Sequence, residues 1–73
     1  MIVEVECEPD GDGGRPTGFS LGGRTIRVAE IIDRWPSGRH DYVKLRGNDG
    51  HMYILRYDAA IGHWGLWMFE KGK

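Results

Sequence analysis

Two alternating runs, Asp41–Gly47 and His51–Asp58, flank the tripeptide Asn48-Asp49-Gly50, and their register constrains the fold more than any other feature. A side-chain period of two is the mark of a strand with distinct faces. A two-residue turn would set Leu45 opposite Ile54 and Arg46 opposite Tyr53, mixing apolar and charged groups on each face. A three-residue turn, with Gly50 in the left-handed conformation, instead pairs Leu45 with Tyr53 and Val43 with Leu55. It also pairs Lys44 with Ile54, Tyr42 with Arg56 and Arg46 with Met52. Only the second arrangement yields a wholly apolar face, so it is the expected one.

The rest of the chain reads in the same idiom. In Met1–Glu8, Val3, Val5 and Cys7 alternate with Glu4, Glu6 and Glu8, giving a strand with one wet side, so Cys7 is expected to act as a small hydrophobe. Pro9–Gly18 is rich in glycine and proline and reads as a loop, with residues 10–17 its flexible part. Phe19–Leu21 has room for a short strand before the turn signal Gly22-Gly23. Thr25–Trp35 fits a strand with a bulge near Ala29–Ile31; two helical turns through AEIIDRW are the alternative, but the β-branched content and Pro36 favour the strand. After Ala59–Gly62, Trp64–Glu70 is the last strand, with Trp64, Leu66 and Met68 facing the core beside Tyr57, Leu55 and Tyr53. The expected fold is all-β: a five-stranded antiparallel meander closing into a small SH3-like barrel. Trp64, Leu66, Leu55, Val43, Leu45 and Val28 are its expected most-buried side chains.

With 73 residues there is room for one domain and one core. A single cysteine forms no internal disulfide, no signal-peptide pattern opens the chain, and no apolar run is long enough to span a bilayer, so a soluble cytoplasmic protein is expected. The net charge of −1 argues against a strongly basic nucleic-acid binder. Yet charge is unevenly spread: residues 1–12 carry five of the eleven acids and no base, while all ten Lys and Arg follow.

Residues 23–67 resemble an uncharacterised bacterial family of small β domains. The shared frame is Gly23-Arg24, Ile26-x-Val28, Trp35, Tyr42-Val43, Gly50-x-x-Tyr53-x-Leu55 and Trp64-x-Leu66. Similar domains sometimes accompany Y-family DNA polymerase-like proteins, so the resemblance implies a link to DNA repair. The family has no assigned catalytic residues, and it carries none to this chain. The acidic first strand and the glycine-rich loop lie outside the match.

Catalytic and metal chemistry find little footing. His40, His51, His63, Asp41 and Cys7 stand at no ligand spacing, Ser20 and Ser37 have no GxSxG-type context, and Gly11–Gly14 lacks the GK[ST] ending of a phosphate loop. No enzyme, metal or cofactor is expected. Alternation fails on the outer side of the last three strands, where Ile54 is expected beside Lys44 and Trp67, with Met52 and Phe69 next along. Tyr42, Lys44, Arg46, Ile54, Arg56 and Trp67 are therefore the candidate binding residues. Either the N-terminal segment covers them through Val3, Val5, Phe19 or Leu21, or they bind a protein or a second copy of the chain, or they stack single-stranded bases. The expected function is a non-catalytic interaction module, with an accessory nucleic-acid-binding domain as the alternative and no membrane partner.

Overall fold

The computed structural model describes residues 2–8 and 15–72. Period-two alternation and a high content of β-branched and aromatic residues place these in six strands: β1 (Ile2–Glu8), β2 (Arg15–Leu21), β3 (Arg24–Ser37), β4 (His40–Gly47), β5 (Met52–Asp58) and β6 (His63–Glu70). Neighbours in sequence pair antiparallel throughout, and β6 returns to β1, closing the sheet into a barrel. Closure is narrow: among the described residues Ile2 with Gly65 and Val3 with Trp64 are in register across that seam.

The expected hairpin forms as derived. Val43 pairs Leu55, Leu45 pairs Tyr53, Lys44 pairs Ile54, Tyr42 pairs Arg56 and Arg46 pairs Met52. Gly50 has φ of 83°, a left-handed conformation that its missing Cβ makes inexpensive. Thr25–Trp35 is strand, and it lies within β3. That strand pairs β2 through Arg24–Arg27 and β4 from Val28 onward, with irregularities between Val28 and Glu30 and between Ile31 and Asp33. Two extra residues let one strand bend around the barrel and serve two partners.

Four expectations are corrected. There are six strands rather than five, because β2 begins at Arg15 and not after Gly18. Arg15–Gly18 is thus strand and not loop: the Pro16 side chain is fully buried, and Pro16 pairs Cys7 of β1 but stands before the β2–β3 register, which runs from Gly18 to Leu21. The remainder of the expected loop, residues 9–14, lies outside the described residues. Cys7 is exposed, because the register slips between Glu6 and Cys7 and ends the inward alternation. Met68 faces outward: a bulge opposite Ile54 and Leu55 makes Trp67 the extra residue, so Leu66 pairs Leu55 but Met68 pairs Ile54 and Phe69 pairs Tyr53.

The core is built from both halves of the chain. Val3, Phe19, Ile26, Val43, Leu45, Tyr53 and Leu55 are buried, with Trp64, Leu66 and Val28 packed against them but only partly covered. Phe19 meets Tyr53 edge-on at 4.9 Å between centroids. The Tyr53 hydroxyl donates to Asp49 Oδ2, and Asp49 Oδ1 accepts the His51 N–H, tying the core aromatic to the turn that sets the register. Burial, reinforced by the Asp49 carboxylate, pushes the Tyr53 phenol up to about 12. Desolvation alone would raise Asp49, but the hydrogen bonds from Tyr53 and His51 outweigh it and hold the carboxyl below its usual range.

Three outcomes follow from this packing. Leu55→Ala should cost about 2–5 kcal/mol, a large share of the stability of a domain this small, as read by thermal melting. Gly50→Ala should cost about 1 kcal/mol from its backbone alone, since nothing lies within 4 Å of an added Cβ. Gly47→Ala should cost more, because its Cβ would meet Ile26 Cγ2 and Asp49 Oδ1 at 2.7 Å. The Tyr53–Asp49 pair predicts a pH window. The lowered Asp49 contributes stability above about pH 3.9 that is lost as pH falls through its folded value, and the raised Tyr53 contributes stability below about pH 10 that is lost as pH climbs toward 12. Melts across pH should show both flanks, and Tyr53→Phe should remove the alkaline loss assigned to Tyr53.

Candidate functional site

Strands β3 to β6 form one wall of the barrel, and their outward side chains fall into rows that cross it. Pairings place Trp35, Tyr42, Arg56 and Gly65 in one row. The next holds Asp33, Lys44, Ile54 and Met68, and the third Glu30, Arg46, Met52 and Glu70. The bulge adds Trp67 to the first row, between Gly65 and Met68. Because Val43, Leu45, Tyr53 and Leu55 occupy the interior, alternation leaves these residues no inward option.

Planar groups dominate the first row. Trp35 stacks on Tyr42 with centroids 5.4 Å apart and planes 6° from parallel. Tyr42 meets Trp67 edge-on at 5.7 Å, and the Arg56 guanidinium sits 4.7 Å above the Trp67 ring. His40 approaches Tyr42 from the other side while reaching Asp58 at 3.4 Å. Cation–π and aromatic contacts at exposed sites are each worth about 0.5–1.5 kcal/mol, enough to order these side chains but not to hold a fold together.

Three of the six expected binding residues, Tyr42, Arg56 and Trp67, are therefore in contact, and Lys44 and Ile54 adjoin them in the second row. Ile54 has Met68, not Trp67, as its β6 neighbour, and Phe69 leaves the outer face for the rings of Tyr53 and His51, at 5.2 and 5.4 Å. Arg46 is drawn away by Glu30, with Nη2 to Oε1 at 2.6 Å. Among the described residues, the N-terminal strands do not cover the wall. Val3 and Phe19 are inside the barrel, and β1 and β2 lie on the far side of the closed ring. On the wall, Trp67 and Met68 remain 50% and 56% exposed.

Trp35 was missing from the expected set. Its place opposite Tyr42 depends on both irregularities in β3: a strict count from Val28 opposite Gly47 would set Asp33 there, while the two slips cancel and leave Trp35 on the outer face either way. Composition gave a weaker signal, since a tryptophan directly before Pro36 at the end of a strand has few core neighbours available.

Other chemistry is sparse. Partial desolvation raises the Cys7 thiol, with Arg34 opposing, so little of it is thiolate near neutrality and it is a poor nucleophile. Among the described residues no three His, Cys, Asp or Glu side chains converge where a metal could sit, and no helix is long and apolar enough to cross a membrane. Comparisons with protein-family models, with curated proteins and with solved structures find no match to this chain.

Proposed function

We propose that this domain is a non-catalytic binding module whose working surface is the outer wall of β3–β6. The observation that carries the reading is the row Trp35–Tyr42–Arg56–Trp67, large planar side chains packed on one another on the outer side of the sheet, the first three half-buried and Trp67 half exposed. Burying an aromatic side chain is worth ~1.5–3 kcal/mol, so a small domain that leaves several outside forgoes stability it could use. Aromatic residues, Met and Arg over a ring of polar groups are also the composition that recognition surfaces favour. The wall beneath suits the role, because a backbone of paired strands holds its side chains' positions more closely than a loop does and moves little on docking.

A binding surface and a packing surface respond differently to truncation. Trp67→Ser and the double variant Tyr42→Ser/Trp67→Ser should melt cooperatively and lose no more than about 1–2 kcal/mol, the value of the exposed ring contacts alone. Leu55→Ala is the internal reference for a core loss. If the double variant loses as much stability as Leu55→Ala, the cluster is structural and the reading fails.

A further inference from the structure

Charge is segregated around the barrel. In a closed ring of six strands β1 lies across from β4. The exposed Glu4 and Glu6 project from β1, whereas Lys44 and Arg46 project from β4 and Arg56 from the adjacent β5. Of the acids on or beside this wall, Glu30 holds Arg46 and Asp58 reaches His40, while Asp33, Asp41 and Glu70 make no ion pair among the described residues. Lys44 and Arg56 make no ion pair among the described residues, and both border the aromatic row. The cation available to an anion is therefore local, Lys44 and Arg56 beside the aromatic row, whereas Glu4 and Glu6 on the opposite wall would repel it, in a chain of net charge −1.

The form of the surface narrows the ligand further. Protein hot spots are enclosed pockets that take an anchor side chain. Here Trp35 and Tyr42 line an open groove together with Arg34, Pro36 and Asp41. A flat ligand with π faces matches that shape, and a ligand that also carries regularly spaced negative charge matches Lys44 and Arg56. Single-stranded nucleic acid has both properties. In a duplex the faces of the bases are already stacked on one another, and a broad barrel wall has no element to insert into a groove about 12 Å wide.

Resting on the reading of this wall as a binding surface, we propose that it takes a single-stranded nucleic acid, with bases against Trp35, Tyr42 and Trp67 and phosphates toward Lys44 and Arg56. Base stacking on aromatic and guanidinium planes is tolerant of sequence, so the strand is held with little preference among bases. With two phosphate contacts the salt dependence is shallow: log K should fall with log salt at a slope of about −1.4, far from the steep slopes of strongly basic binders.

The test is a titration of the chain with fluorescein-labelled oligothymidylate of about 12 nucleotides, a length within the usual footprint of one small barrel. Binding is followed by anisotropy and by chemical-shift mapping, against three comparators: the same length made abasic, the matching duplex, and heparin. The expected result is binding at low salt with shifts confined to β3–β6, weaker binding of the abasic strand and the duplex, and quenching of tryptophan emission. Trp67→Ser and Arg56→Gln should each weaken it by about fivefold or more, Lys44→Gln should make the salt slope shallower by about 0.7, and Glu4→Gln on the opposite wall should change little. Equal affinity for the abasic strand or heparin overturns the proposal, because the contact is then charge alone. Absence of shifts at low salt also overturns it. A chain that instead dimerises, and becomes monomeric as Trp67→Ser without ever binding the oligonucleotide, overturns it too while leaving the wall a binding surface. Loss of that wider reading would show separately, in the melting of the Tyr42→Ser/Trp67→Ser variant without any ligand.

Discussion

Everything in this barrel is referred to the register of the β4–β5 hairpin. One residue of slip would turn one strand over against the other, setting Leu45 opposite Ile54 and Arg46 opposite Tyr53 and mixing apolar and charged side chains on both faces. The turn that prevents this is fixed twice. Gly50 supplies the left-handed backbone, and Asp49 reaches forward to the Tyr53 hydroxyl and the His51 N–H. Tyr53 in turn packs edge-on against Phe19 from the first half of the chain. A local turn and a long-range core contact are therefore parts of one connected set of interactions, which makes a slipped hairpin costly at both ends.

That hairpin was also the part of the fold most legible in the sequence. Alternation on both sides of a short polar turn leaves only two registers to compare, and burial of an apolar face decides between them. Legibility fell wherever strict alternation broke. In β6 the bulge at Trp67 turns Met68 from the core to the surface and carries Phe69 to the side of Tyr53. In β1 the slip after Glu6 brings Cys7 out. Counting by twos cannot find an extra residue, because a bulge is set by the curvature of the closed barrel and not by the local sequence.

The first half shows a different obstacle. Pro16 and Gly18 read as loop residues, yet both are buried in β2. Proline is excluded from a strand only where its missing N–H is needed, and Gly18 sits 3.3 Å, measured from an ideal Cβ, from the Ile26 carbonyl, where the β2–β3 approach leaves little room for a side chain. Gly47 is the same case with closer neighbours. What identified neither was the partner strand, which is a tertiary fact. The candidate site divides along the same line: Tyr42 and Arg56 came from the hairpin register and Trp67 from the outward failure of alternation, while Trp35 needed the two irregularities of β3.

The exposed row is a consequence of closure as much as of composition. A six-stranded barrel with Phe19, Tyr53, Ile26, Leu45, Leu55, Val43 and Val3 buried has its interior filled. No rearrangement of rotamers brings Trp35, Tyr42 or Trp67 inside, because each is rooted on the outward side of a paired strand. Such side chains can lower their exposure only by packing on one another or on something outside the chain. The first they already do, through stacking, edge contact and the Arg56 guanidinium, and half of Trp67 is still in water. The second is the step that a partner would supply. Because the row is pre-assembled by its own contacts, less side-chain freedom would be lost to a partner there, beside Lys44 and Arg56, which make no ion pair among the described residues.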